Sequence, residues 1–281
     1  MSSYTFRRFK DKMAYVFGFL CVLITIIPLG SILFEVVRNG FPALNVEFFT
    51  GLLGPIGQPG GGIANSIQGT LILIALTSII GVPVGIMSGI YLAEFGDNRF
   101  GGTVRFFIDV FLGFPSIVIG IFAYLVIVLT MRNFSAIAGA FSLSIIMLPI
   151  VAKTTEEAIR LVPNSIREAS MALGVRRWRT IVSVVLSTAK SGIATGVILA
   201  IARIAGETAP LIMTILGSQW FFAGFDGPMD ALPLRIWRMS LLPYDYARQQ
   251  GWGAALILIL IVLTLNIAVR FLTRRKYRIS M

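Results

Sequence analysis

The sequence predicts an all-α polytopic membrane protein with six transmembrane helices, and three observations carry that prediction. The 281 residues are 56% hydrophobic and only 13% charged, and the mean hydropathy of +0.86 suits a chain solvated by lipid rather than by water. Six apolar stretches each reach the roughly 20 residues that cross a hydrocarbon core. Lysine and arginine dominate a net charge of +11, and they gather at the ends of these stretches, which speaks for orientation in a membrane and against nucleic acid binding. Histidine is absent, which excludes histidine acid–base chemistry and histidine metal sites, and no metal centre is expected. The lone cysteine, Cys21, lies in an apolar run and has no intrachain disulfide partner.

Arg7, Arg8, Lys10 and Lys12 precede an apolar run from Ala14 to about Val37. It is too long for the apolar region of a signal peptide and lacks a small-residue cleavage site, so it reads as a retained first span. Asn39 to Gly62 is rich in glycine and proline, contains the amphipathic stretch Phe41 to Phe49, and reads as an external loop. The second span runs from Ile63 to about Leu92, the third from about Val104 to Met131, and the fourth from Phe134 to about Ala152. The short Arg132-Asn133 turn makes the third and fourth an antiparallel pair. The fifth span extends from about Ala189 to Leu216, an external stretch follows to Gln250, and the sixth span runs from Gly251 to about Leu272. With the N-terminus inside, only Arg38, Arg132, Arg235, Arg238 and Arg248 fall outside and Arg203 falls within a span. Both termini are therefore expected in the cytoplasm. Residues 1–281 read as a single membrane domain with one long cytoplasmic loop at about 153–188.

Gly81, Gly85 and Gly89 recur every fourth residue, as do Gly192, Gly196 and Ala200, a spacing that lets helices approach closely in lipid. Pro83, Pro115 and Pro149 each remove a backbone hydrogen bond and favour a bend.

Within the cytoplasmic loop, Arg167-Glu168-Ala169-Ser170-Met171-Ala172-Leu173-Gly174 reads as a short polar helix. Pro163 disfavours helix at Val162, Ser165 and Glu168 stand in the S-x-x-E capping relation, and Gly174 supplies the left-handed residue that ends the helix. About two turns are too few to be stable alone, so the helix must be held against a surface. Ile166, Ala169 and Leu173 form a narrow apolar stripe for that purpose. The surface can belong to this protein or to a partner.

The fifth span holds the charges deepest in the membrane, Arg203 and Glu207. At 1.5 Å per residue Arg203 lies about 20 Å into the helix, near the bilayer midplane. An ionisable group there costs on the order of 2.5–3.5 kcal/mol on insertion scales, so it needs a partner or a water-filled cavity. Two readings are open. The residues are four apart and can simply pair with each other, or Arg203 lines an anion path with Glu207 holding it in place. A guanidinium presents a planar donor fork that suits phosphate oxygens. Pro210 frees the carbonyl of Gly206, whose missing side chain relieves the proline clash, so a kink is expected at Gly206 and Pro210. Thr208 and Thr214 can bond freed carbonyls or face the path.

Glu168-Ala169-Ser170, Gly174 and Val184-Val185-Leu186-Ser187 resemble the EAA loop of ABC-importer permeases, with Ser170 where a second alanine is usual and Ser187 where proline is usual. Arg203-Ile204-Ala205-Gly206-Glu207-Thr208-Ala209-Pro210-Leu211 resembles the R-x-x-G-E-T-A-P-L segment of permeases from ATP-driven phosphate importers. Gly61-Gly62-Ile63 with Ile67-Gln68-Gly69-Thr70, Phe114-Pro115-Ser116-Ile117-Val118-Ile119-Gly120, and Leu173-Gly174 with Trp178 are similar to that family's other marks. The resemblance covers about Gly61 to Leu216, with the flanks matched by layout. It implies the type I ABC-importer (MetI-like) permease fold in a plasma (inner) membrane. It also implies a non-enzymatic subunit that works beside a second, PstC-like permease, two copies of a cytoplasmic PstB-like ABC ATPase and an extracytoplasmic PstS-like phosphate-binding protein. Glu168, Ala169, Ser170, Leu173 and Gly174 would couple to the ATPase, and Arg203, Glu207 and Thr208 would line the substrate pathway. ATP and Mg would be used by the partner, in keeping with the lack of a G-x-x-x-x-G-K-[ST] loop here; no cofactor is expected on this chain. The alternatives are a permease for sulfate or molybdate and an ion-coupled secondary transporter in which Glu207 titrates.

Overall fold

The computed structural model describes residues 2–55 and 59–273. The basic tail that the sequence assigns to the cytoplasm (Arg274, Arg275, Lys276 and Arg278) lies outside them. The described residues are almost entirely helical, with two isolated bridges and no strand among them.

The first helix, α1 (Ser2–Gly40), contains Pro28 and leaves nearly all of its length exposed, packing only near its end, where Val36 and Gly40 are buried. A Cβ at Gly40 would stand 2.7 Å from the Trp252 carbonyl oxygen. The region expected as a loop includes a short α2 (Val46–Thr50), capped by Asn45, whose Phe48 is buried. The second span is α3 (Ala64–Phe95), continuous through Pro83.

The third span departs from the expectation of one helix. It consists of α4 (Arg99–Gly113) and α5 (Ser116–Ala123), the latter continuing through a π-helical turn, Tyr124–Val128, into α6 (Leu129–Met131). The two halves are bent by 104°. The cause is local: Pro115 lacks an N–H and pushes Phe114 into the extended region, at ψ 134°. Five helices are long and apolar enough to cross a membrane, and six if this bent pair is one span.

The fourth span, α7 (Ala136–Arg160), is capped by Ser135, whose Oγ accepts from the Ala138 N–H at 3.1 Å. It is the hub: 67% of its apolar window is buried, against 33% for α3. Gly81, Gly85 and Gly89 of α3 face it, so that a Cβ at Gly85 would lie 2.7 Å from Val151 Cβ and one at Gly89 2.6 Å from Thr155 Cβ. Small residues replace the hydrophobic force that lipid cannot supply between helices, by letting van der Waals surfaces meet. After α7 come the short helices α8 (Asn164–Ala172) and α9 (Arg177–Thr180), then a π-helical turn, Ile181–Val185, leading into α10 (Leu186–Ala205). Gly192 and Gly196 of α10 press on Ala158 and Thr154 of α7. A short α11 (Ala209–Thr214) completes the fifth span.

The stretch read as an external loop contains α12 (Leu232–Leu241), followed by the last span, α13 (Asp245–Thr273). Arg235, counted from the sequence as an outer charge, is almost wholly buried. Its Nε donates to Asp230 Oδ2 at 2.9 Å and to Ser66 Oγ at 3.0 Å, and its Nη2 to Asn65 Oδ1 at 3.0 Å. Burial pulls the Arg235 guanidinium below its ordinary value, and Asp230 opposes that pull. The Gln68-Gly69-Thr70 motif belongs to this clamp. Gln68 Oε1 accepts from the Phe222 N–H, Thr70 Oγ1 accepts from the Leu232 N–H, and Gly69 leaves room for the Asp230 carbonyl, which would lie 1.9 Å from a Cβ there.

Two outcomes follow for stability in detergent. Gly85→Leu forces α3 off α7 and is expected to cost about 2–3 kcal/mol, lowering the thermal midpoint, whereas Gly102→Ala, within α4 and where a Cβ meets nothing within 4 Å, does not lower it, since alanine is the better helix former. Asp230→Ala strands a buried guanidinium and should cost about 3–5 kcal/mol; the Asp230→Ala/Arg235→Met pair should recover much of that loss in the same thermal assay.

Candidate functional site

Two regions hold the residues singled out from the sequence, one in the loop between the fourth and fifth spans and one in the fifth span. Helix α8 begins two residues earlier than the capping pattern implied. Pro163 precedes it, Ser165 stands inside its first turn, and no side-chain cap forms. The S-x-x-E reading is thus replaced by proline at the helix boundary, with the Ile166 N–H bonded to the Pro163 carbonyl at 3.2 Å. The C-terminal expectation holds: Gly174 adopts φ +79°, which a Cβ would strain, and its N–H returns to the Met171 carbonyl at 2.9 Å.

The predicted stripe on α8 divides. Ile166 is half-buried against the protein's own core, while Ala169 is exposed and Leu173 is 84% exposed. Glu168 is exposed as well. Around them Leu161, Met171 and Trp178 leave further apolar surface open. Ser170 faces the other way, buried, with its Oγ 2.9 Å from Thr180 Oγ1. The hydroxyl that replaces the usual alanine therefore ties α8 to α9.

Sequence reasoning passed over the group that holds α8 in place. Arg167 Nη2 and Nε donate to Glu94 Oε1 of α3 at 2.9 and 3.1 Å, Nη2 also reaches the Ile159 carbonyl at 3.0 Å, and Nη1 reaches the Val162 carbonyl. Arg177 Nη2 donates to the Glu94 carbonyl at 2.7 Å, with its guanidinium 4.8 Å from the Phe95 ring centre. The available signal was Glu94 itself, an acid at the end of a long apolar helix facing a strongly basic loop.

In the fifth span the helix is interrupted rather than kinked. It ends at Ala205, Gly206 and Glu207 lie outside regular helix, and α11 restarts at Ala209. Pro210 falls in the first turn of α11, where its missing N–H has no helical partner to lose. Thr214 Oγ1 bonds the Pro210 carbonyl at 2.8 Å, and Thr208 is half-buried. The broken fifth span lies against the broken third: a Cβ at Gly120 of α5 would come 2.6 Å from Pro210 Cα. Arg203 Nη1 stands 2.8 Å from Glu207 Oε1, with the two side chains 59% and 5% exposed. This oxygen of Glu207 makes no hydrogen bond among the described residues, so the pair is held by charge, and most of the guanidinium remains open on the face of α10. The structure thus brings Arg203, Glu207, Gly206 and Pro210 together, and keeps them on separate elements from Glu168, Ala169, Ser170, Leu173 and Gly174. Among the described residues no acidic or cysteine cluster forms that could hold a metal ion.

The profile of the family described as binding-protein-dependent transport system inner membrane component matches residues 81–277. The phosphate transport system permease protein PstA of Yersinia pestis is 41% identical over 271 residues, covering 96% of this chain and 92% of that one. Its namesake in Pasteurella multocida is 40% identical, covering 96% of each. Among solved structures, a chain of a bacterial alginate ABC transporter superposes with a TM-score of 0.68 at 14% identity, covering 96% of both chains. One of the MetNI methionine ABC transporter gives 0.60 at 17%, covering 76% of this chain and 93% of that one. These likenesses show the fold of ABC-importer permeases. The chain belongs to the binding-protein-dependent transport system inner membrane component family and, within it, to the PstA permeases.

Proposed function

We propose that the chain is the membrane-spanning permease subunit of an ATP-driven phosphate importer, working as one membrane domain over residues 1–281 with both termini in the cytoplasm. The observation that carries the pathway assignment is the asymmetry of the Arg203–Glu207 pair: the acid is buried while the guanidinium stands open on a helix face. A guanidinium near the midplane, half-neutralised by its neighbour, attracts a phosphate anion without holding it tightly. Specificity then comes from an external phosphate-binding protein that delivers its cargo to the outer side. Thr208, beside the break, adds a hydroxyl at the same level, and the interruption at Gly206 and Pro210 lets the two halves of the fifth span move independently.

The exposed face of Glu168, Ala169 and Leu173 is the docking surface for a cytoplasmic ATPase, present in two copies, one for this chain and one for a second permease that completes the pathway. Ser170 and Gly174 set the pose of that face, the first through Thr180 and the second through its left-handed turn. ATP and Mg act on the ATPase; this chain relays the motion.

Labelled phosphate uptake at low external concentration, in cells lacking the chain and complemented with it, tests the proposal. Uptake should return, persist when the proton gradient is collapsed with ATP maintained, and leave sulfate uptake unchanged. Arg203→Lys keeps the charge and the partner for Glu207 but loses the planar fork, so it should cut uptake at least tenfold with assembly intact. Wild-type uptake by that variant removes Arg203 from the pathway. Leu173→Asp places a charge on the docking face and should abolish co-purification of the ATPase.

A further inference from the structure

We infer that Arg167 and Glu94 link the coupling helix to α3, and that α3 is the rod that carries ATPase motion to the outer side of the membrane. This rests on the proposal that α8 docks the ATPase, and goes beyond it by naming the path inside the chain.

The geometry separates docking from linkage. Glu168, Ala169 and Leu173 are exposed, whereas Arg167 is 17% and Glu94 7% exposed at the side chain. All three guanidinium nitrogens of Arg167 are engaged, toward Glu94 of α3 and toward the Ile159 and Val162 carbonyls at the end of α7. Chain connectivity already joins α8 to α7 through Leu161, Val162 and Pro163, and to α10 through α9. Neither route reaches α3, from which α4 to α7 separate α8 along the chain. The Arg167–Glu94 pair supplies that connection, seconded by Arg177 on the Glu94 carbonyl. Because α3 and α7 are packed glycine-on-side-chain along their shared length, a force delivered to both ends moves them as one body rather than sliding them.

The far end of α3 gives the motion a destination. Its 32 residues span about 48 Å, and its first turns carry Asn65, Ser66 and Thr70, which grip Asp230, Arg235 and the Leu232 N–H. A displacement at Glu94 is thereby delivered to α12 and the outer stretch around it. Lysine at 167 places one point charge and cannot bridge a carboxylate and two carbonyls in fixed directions at once.

The test uses the assembled transporter in liposomes, with permeases, ATPase and phosphate-binding protein, and reads co-purification of the ATPase, ATP hydrolysis and phosphate uptake. Arg167→Ala, Arg167→Lys and Glu94→Gln should retain the ATPase and hydrolyse ATP, while uptake per ATP falls at least tenfold for Arg167→Ala and Glu94→Gln and less for Arg167→Lys. Glu94→Gln preserves volume and an acceptor oxygen, so it keeps the test intact where Arg167→Ala fails to insert. Unchanged uptake per ATP in Glu94→Gln overturns the inference. Loss of the ATPase from the Arg167 variants, as expected for Leu173→Asp, assigns Arg167 to the docking face and also overturns it. Failure of the unaltered transporter to retain the ATPase, or indifference of co-purification to Leu173→Asp, would instead sink the docking proposal.

Discussion

The close approach of α3 and α7 is the constraint on which the other elements depend. In lipid no hydrophobic force joins helices, so contact has to come from surface match, and Gly81, Gly85 and Gly89 create it by exposing backbone to Met147, Val151 and Thr155. Once this pair is fixed, α7 becomes the element that α10 joins through Gly192 and Gly196, and the core of Leu73, Met147, Val151, Ile204 and Leu211 closes around it. The ends of the pair then define two stations. The C-terminal end of α3 receives Arg167 and Arg177; its N-terminal end receives Asp230 and Arg235.

Irregular backbone inside a membrane is tolerated only where protein covers it or where it lines a cavity. The bend at Phe114-Pro115 and the interruption at Gly206-Glu207 belong to neighbouring segments, with Gly120 pressed against Pro210. That contact joins the two helices that follow the breaks, while Phe114, Pro115 and Gly206 themselves stay exposed in this chain. Arg203 stands on an open face while the Glu207 side chain is buried.

Three of the ion pairs differ in how they are enclosed and what they join. Arg235–Asp230 is sealed and holds an outer helix to the beginning of α3. Arg167–Glu94 is shielded and joins elements far apart in sequence. Arg203–Glu207 is open on one side and joins neighbours on one segment. An enclosed pair stabilises only where hydrogen bonds offset its desolvation: Arg235 and Arg167 each donate to several acceptors, though Asp230 Oδ1, like Glu207 Oε1, accepts no hydrogen bond among the described residues.

Much was legible along the chain because lipid imposes a simple code. Length and hydropathy located the spans, the basic residues implied an orientation, Gly174 marked the end of α8, and the Arg203–Leu211 segment pointed to the family. Periodicity could not tell a kink from a break: Pro115 and Pro210 both read as bends, yet whether the helix continues past a proline depends on what packs beside it, here Gly120 against Pro210. Nor could it tell the inward from the outward face of α8, because Ile166 and Leu173 have the same chemistry and only the position of the core distinguishes them. Arg235 looked like an outer surface charge because its partners, Asn65 and Ser66, lie about 170 residues away. The sequence by itself determined the solvent, the number of crossings and the family, since these follow from local composition and short motifs. The tertiary structure alone decided which charges are enclosed and which are open, since that depends on contacts between residues that only folding brings together.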